Sequence, residues 1–288
     1  SRIRFEGDDG ADIFINEEFA TIDWQPGDDP TLQAEQGIDF DGGNDADVLI
    51  NRGRVSRVVF NGGADADVLQ NRRGRITKIQ YNGDDGDDVL INEADAFIEW
   101  QTGDDATFFA DNGIYFNGGG DADVLINRGR VSRVVFNGGS DGDLLDHQSG
   151  EITDSLTFNG GDDADVLISR ARVGRIRFDG DAGADTLLIT GEVSGDLNAD
   201  GGLVEFNGGG DADLLVSRGT IRRLVFRGGA DDDVLQTSGG SIQELVFYSD
   251  AGIGILVNRT DNISILTFYG GDEADMFINR GQSIGDLT

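Results

Sequence analysis

The chain has 288 residues, 55 acidic against 22 basic side chains and a formal charge of −33, with 45 glycines, two prolines and no cysteine. A surplus of negative charge on this scale repels nucleic acid and anionic membrane surfaces, and the missing cysteines exclude disulfides and thiolate metal sites. No 18-residue apolar run and no signal peptide is present, so neither membrane insertion nor a retained leader is expected.

From its first residues the chain repeats one phrase, of which Phe60-Asn-Gly-Gly-Ala-Asp-Ala-Asp-Val-Leu69 is a clear instance. Self-similarity at a period near 20 residues marks a solenoid, in which single coils have no core of their own and stacking creates one. In chain order an aromatic closes each strand at Phe5, Trp24, Phe40, Phe60, Tyr81, Trp100, Phe116, Phe136, Phe158, Phe178, Phe206, Phe226, Phe247 and Phe268, which predicts 14 coils. Most spacings are 19 to 22 residues, but Trp24 to Phe40 and Trp100 to Phe116 span 16, and Phe178 to Phe206 spans 28. The two short steps lie 76 residues apart in parallel text, with residues 45–60 repeated at 121–136. A block of four coils, about 5–80 and 81–157, is duplicated. No linker interrupts the repeat, so one continuous domain over 1–288 is expected.

Within a coil, pairs such as Val58 and Phe60, Ile79 and Tyr81, or Leu224 and Phe226 are two residues apart, the spacing of one strand face. The residue between them is Arg4, Asp39, Gln80, Glu99, Thr157 or Arg177 in different coils, so it faces outward. The turn Gly-Gly-x-Asp-x-Asp follows, then a second strand such as Val-Leu-Ile-Asn, then an Arg-Gly-Arg turn. The fold class is therefore all-β, a single parallel β-solenoid whose strands pair with their counterparts about 4.8 Å above and below. If Leu49, Leu69, Leu90 and Leu125 point inward, Val48 and Ile50, Val89 and Ile91, Val124 and Ile126, and Val166 and Ile168 form an outward apolar stripe suited to an interface. Asn51, Asn71, Asn92, Asn127, Asn258 and Asn279 either stack as an amide ladder or serve as turn formers. Arg52, Arg72, Arg128, Arg170, Arg218, Arg259 and Arg280 follow in phase, as a cationic edge or as a row of surface ion pairs.

Eleven coils place an acid at one equivalent position: Asp12, Asp47, Asp67, Asp88, Asp123, Asp143, Asp165, Asp185, Asp213, Asp233 and Asp275. Seven add a second two residues earlier: Asp45, Asp65, Asp121, Asp141, Asp163, Asp211 and Asp231. Stacked in register, such carboxylates form columns of like charge that are unfavourable without counterions. Arrays of hard oxygen ligands suit Ca²⁺, and all 18 aspartates are candidate metal ligands; the alternative is that Asp caps turns and stays solvated.

Gly180-Asp-Ala-Gly-Ala-Asp-Thr-Leu187 resembles the Gly-Gly-x-Gly-x-Asp-x-hydrophobic-x nonapeptide of repeats-in-toxin (RTX) proteins, as do residues 83–90 and 7–14. That resemblance implies a calcium-binding parallel β-roll of bacterial surface proteins. Most coils depart from it by carrying Asp in place of the third glycine, and each coil holds one motif where an RTX coil holds two. The irregular coils carry the two tryptophans, Trp24 and Trp100, either as sugar or partner contacts or as core variants of a shorter coil.

No nucleophile or acid/base constellation breaks the repeat, and the single histidine, His147, replaces a member of the amide column, so no enzyme is expected. The reading is an extracellular or cell-surface structural protein, a filament subunit or a rod-like segment of an adhesin. It would be stabilised by Ca²⁺ and would associate with copies of itself end to end and laterally, or with extracellular polysaccharide. The alternative is a carbohydrate-active β-helix enzyme or polysaccharide-binding module centred on the tryptophan coils.

Overall fold

The computed structural model describes residues 2–22, 37–98, 112–195, 201–260 and 262–288. Among them there is no helix, and every strand pairing is parallel, as a β-solenoid requires. The described residues fall into two compact units, Ser1–Gly139 with Ser149–Glu151, and Ser140–Gln148 with Ile152–Thr288.

In the first unit each coil contributes a long and a short strand. The long strands Arg2–Asp8, Gly37–Gly43, Arg54–Gly63, Arg75–Asp84, Gly113–Gly119 and Arg130–Gly139 align Phe5, Phe40, Phe60, Tyr81, Phe116 and Phe136 in one register. The short strands Ile13–Asn16, Val48–Asn51, Val68–Asn71, Val89–Asn92 and Val124–Asn127 align Phe14 with Leu49, Leu69, Leu90 and Leu125. The second unit repeats the plan. Its long strands bring Phe158, Phe178, Phe206, Phe226, Phe247 and Phe268 together, and its short strands align Leu145, Leu167, Leu187, Leu215, Leu235, Leu256 and Phe277.

The core lies between the two strand rows. In-register stacking places identical rings one strand spacing apart, and from Phe40 to Phe136 the centroids are 4.7–4.8 Å apart with interplanar angles of 4–14°. Leu49, Leu69, Leu90 and Leu125 are fully buried against them, so the leucine phase of the short strand points inward. The flanking Val48 and Ile50, Val89 and Ile91, and Val124 and Ile126 are left half-exposed outside. The residues predicted to face outward on the long strands do so: Arg4 and Arg177 are exposed, and Asp39, Gln80 and Thr157 half-exposed.

The coil count is lower than the aromatic spacing predicts: the described long strands align 12 aromatics, about 11 turns from first to last, where the spacing predicts 14 coils. Phe5 pairs directly with Phe40, and Tyr81 with Phe116, so each of these steps is one coil of 35 residues and not two short ones. The cause is a strand interrupted in its middle. Thr21–Ile22 pairs with Arg54 and Val55, and the same neighbouring strand then pairs with Ile38 onward from Val58, so both halves belong to one rung and the chain between them adds residues without adding a coil. Phe97–Ile98 and Gly113–Gly119 repeat the arrangement around 99–112. Trp24 and Trp100, with the contacts expected of them, and Glu99 lie outside the described residues. Each duplicated block is thus three stacked rungs.

Candidate functional site: a buried aspartate column

The corner between long and short strand turns on two left-handed residues placed two apart. In one version glycine comes first and aspartate second, as in Gly43 (φ 104°) with Asp45 (φ 68°) and Gly63 (φ 112°) with Asp65 (φ 68°). In the other the order is exchanged, as in Asp8 (φ 69°) with Gly10 (φ 102°), Asp84 (φ 74°) with Gly86 (φ 116°) and Asp181 (φ 71°) with Gly183 (φ 111°). Aspartate tolerates this region because its short polar side chain can bond locally, and glycine because it has no Cβ. The three segments that resemble the RTX nonapeptide are the exchanged version of the same corner.

This geometry separates the two sets of candidate ligands. Asp45, Asp65, Asp121, Asp141, Asp163, Asp211 and Asp231 all have φ between 64° and 68° and stand exposed on the outside of the turn. Their carboxylates reach the corner of the adjoining coil, as where Asp45 Oδ2 accepts the Gly10 N–H at 3.0 Å and Asp121 Oδ2 accepts the Gly86 N–H at 3.2 Å. Two residues later the chain points inward. Asp47, Asp67, Asp88, Asp123, Asp143, Asp165, Asp185, Asp213 and Asp233 are buried, and only the end members Asp12 and Asp275 are half-exposed.

The inner aspartates form one hydrogen-bonded column per unit. In the first, Asp47 Oδ1 accepts the Asp12 N–H at 2.6 Å, Asp67 Oδ1 the Asp47 N–H at 2.6 Å, Asp88 Oδ1 the Asp67 N–H at 2.8 Å and Asp123 Oδ1 the Asp88 N–H at 2.9 Å. The Tyr81 hydroxyl adds a donor to Asp88 Oδ1 at 3.1 Å. In the second, the N–H groups of Asp143, Asp165, Asp185 and Asp213 donate to Oδ1 of Asp165, Asp185, Asp213 and Asp233 at 2.7–2.9 Å. The other carboxyl oxygen, Oδ2, is buried without a hydrogen-bond partner in Asp47, Asp67, Asp88, Asp165, Asp185, Asp213 and Asp233.

Burial penalises the charged form, and it is the leading cause that lifts these carboxyls above the usual range. Asp88 is pushed up to about 6, Asp67, Asp165, Asp185 and Asp233 to about 7, and Asp213 to about 8, the bonds from backbone N–H groups opposing the rise and neighbouring aspartates adding to it. Asp275 goes the other way. Burial would raise it, but bonds from Ser249 Oγ and from the Gly254 and Gly271 N–H groups, at 2.5–2.8 Å, hold it below the usual range.

A calcium ion takes about six to eight oxygen ligands. The inner and outer carboxyls diverge, and among the described residues no group of three or more His, Asp or Glu side chains is placed to hold a metal ion. Residue identity alone did not separate the two columns, but the first corner glycine carries the signal. Gly42, Gly62, Gly83, Gly118, Gly160, Gly180, Gly208 and Gly228 do not have the left-handed φ that would call for glycine. A Cβ at each would come within 3.0 Å of the inner carboxyl, so the glycine is there to leave room for it.

The other polar column is also real within each unit. Amide bonds of 2.8–3.0 Å run from Asn16 through Asn51, Asn71 and Asn92 to Asn127, and Thr237 and Asn279 bracket Asn258. His147 occupies the same buried position and pairs in register with Ser169. Three members of the arginine row make ion pairs: Arg52 with Glu17 at 3.1 Å, Arg128 with Glu93 at 3.0 Å, and Arg170 with Asp146. Comparison with protein families, with curated proteins and with solved structures returns no match.

Proposed function

We propose that the chain is a structural module of an extracellular or cell-surface assembly, acting by association with further copies of itself and not by turnover. The observation that carries this reading is the half-exposed apolar row on the outer face of the short strands, Val48, Ile50, Val89, Ile91, Val124 and Ile126 in the first unit and Val166, Ile168, Leu214, Val216, Ile255 and Val257 in the second. The row is interrupted by Gln70 in the first unit and by Asp146 and Gln236 in the second, and its apolar stretches are a contact surface. A second solenoid is the occupant that fits, because its own row repeats at the same coil spacing and can interdigitate along its length. Calcium has no part in this reading.

The test is analytical ultracentrifugation with electron microscopy of the chain and of a Val89→Lys, Ile91→Lys, Val124→Lys variant. Association of the parent and its loss in a variant with unchanged circular dichroism is the expected result. Lysines lower the net negative charge and would favour non-specific association, so a loss is attributable to the apolar row. Monomers at all concentrations for both chains would overturn the reading.

A further inference from the structure

The charge of the first unit is sorted by corner. Residues 41–47, 61–67, 82–88 and 117–123, which run from the end of each long strand round to the inner aspartate, hold eleven acids and no Lys or Arg. Seven of these acids are exposed, among them Asp45, Asp65, Asp84 and Asp121. The opposite corner leads from each short strand into the next long one, and its residues 52–57, 72–78 and 128–133 hold ten Arg or Lys and no acid. The second unit repeats the sorting, with three arginines and no acid at 170–175 and again at 218–223. In a chain with 55 acidic and 22 basic side chains, such a band is a local reversal of the net charge.

Register makes the band costly to hold. Arg54 lies opposite Arg75, and Arg57 opposite Lys78, and like charges directly opposite on neighbouring strands are destabilising. The chain's own carboxylates reach the band from other segments, as Asp39 does to Arg57 at 2.8 Å, Glu151 to Arg130 at 3.8 Å and Asp95 to Arg73 at 4.0 Å. Surface ion pairs of this kind are weak and exchange readily. A closer match is the acidic corner of another copy. Both corners repeat with the coil, about 4.8 Å per rung, so a second chain presents carboxylates at the interval at which the band presents cations. An arbitrary polyanion has no reason to share that interval.

We propose that the cationic corner of one chain takes the acidic corner of another, side by side with their coils level, so that the Arg52 and Arg72 turns meet the exposed aspartates of the Asp45 and Asp65 turns. The inference rests on the proposed function for the identity of the partner, another copy of the chain, and adds a second contact at the corners, separate from the apolar row. Each chain in such a pair keeps one corner of either sign unused, so the contact is heterologous and adds copies without closing. Complementary rows of charge also fix which rungs stand level and speed the encounter.

The chain has no cysteine, so one thiol can be placed at each corner without removing a charge. Ala66 is exposed between Asp65 and Asp67, and Ala94 is exposed and shares a cleft with Arg72 and Arg73. In a glutathione redox buffer with a metal chelator, a mixture of the full-length Ala66→Cys and Ala94→Cys chains should form the mixed disulfide about tenfold or more faster than either chain forms its own dimer. The excess should vanish in 1 M salt, where the screening length is about 3 Å. It should also vanish when Asp45→Asn, Asp65→Asn and Asp84→Asn are added to the Ala66→Cys chain. Asparagine tolerates the left-handed turn as aspartate does, and fewer negative charges on an acidic chain would by themselves favour association, so that loss is attributable to the corner. Equal rates for mixed and like pairs, or an excess that survives both salt and the asparagine changes, would overturn the corner contact. If the parent still associates in ultracentrifugation, that result leaves the apolar row standing, whereas a parent that is monomeric at all concentrations overturns both.

Discussion

Replacing Gly62 by alanine isolates the reason for the first corner glycine. Gly62 is buried and its φ is not left-handed, so alanine adopts its backbone conformation without strain and the whole cost is steric. The added methyl meets Asp67 Oδ2 at less than 3.0 Å, Asp67 Cγ at 2.9 Å and the Gly83 carbonyl oxygen at 3.0 Å. The carboxyl has little room to swing, because its other oxygen is held by the Asp47 N–H at 2.6 Å. Overpacking of this kind costs about 1–3 kcal/mol, and the fixed neighbours place Gly62→Ala near the top of that range. Asp67→Ala alone leaves the buried Asp47 N–H without its acceptor, a loss of about 1–3 kcal/mol.

In the double variant the methyl occupies space that the carboxyl has vacated, so the two costs should fall short of their sum by about 1–2 kcal/mol, well inside the range for residues in contact. Urea unfolding followed by circular dichroism, with the slope checked for constancy, measures all three. Gly10→Ala is the contrast. Nothing lies within 4 Å of its Cβ position, but its φ is +102°, so its cost of about 1–2 kcal/mol is conformational and should add independently to any change at Asp12. Additivity of the Gly62 and Asp67 changes within about 0.5 kcal/mol would refute the claim that the glycine is there to admit the carboxyl.

Three further outcomes follow from the same geometry. Phe116→Ala opens a cavity between Tyr81 and Phe136, whose ring centroids are each 4.7 Å away, and should cost about 3–5 kcal/mol by denaturant unfolding. Asn71→Ala removes both the acceptor of the Asn51 amide and the donor to Asn92, and should lower stability by about 2–4 kcal/mol, with early loss of amide-exchange protection in the flanking short strands as the local signature. Asp65→Gly should be close to neutral in a thermal melt while Asp65→Val costs about 1–2 kcal/mol, because the site is exposed and has φ of 68°.

The strand pattern was legible in the sequence because it rests on apolar identity alone: leucine between two β-branched residues and an aromatic two after an aliphatic both repeat with the coil. The two extra coils came from the same rule applied to a coincidence. Ile22 and Trp24 have the spacing of Val58 and Phe60, but Ile22 pairs with Val55, at the start of the long strand and not its end. Spacing counts residues along the chain, whereas register is settled between strands of different coils, and added residues change the first without touching the second. The acidic corner was legible as a repeated column and not as two. In a strand, aspartates two apart share a face. Here the earlier one is itself the left-handed residue of a turn, which sends the pair to opposite sides.

What sets the register is then a question about the polar residues, not the apolar ones. A slip of two residues along a strand keeps the same apolar face inward, so burial alone specifies the register of repetitive strands weakly. The buried aspartate and asparagine columns add a condition that packing lacks. Each donor finds its acceptor only at the equivalent position of the adjacent coil, and one left over is buried without a partner at a cost of about 1–3 kcal/mol. The two columns lie at opposite ends of the short strand, at Asp47 and Asn51 in one coil and Asp67 and Asn71 in the next, so they pin both corners of it. An insertion is tolerated where neither is disturbed, and both 35-residue coils place theirs inside the long strand, after Ile22 and after Ile98. A comparable insertion between Asp67 and Asn71 would separate the two corners and should unfold the first unit rather than decorate it.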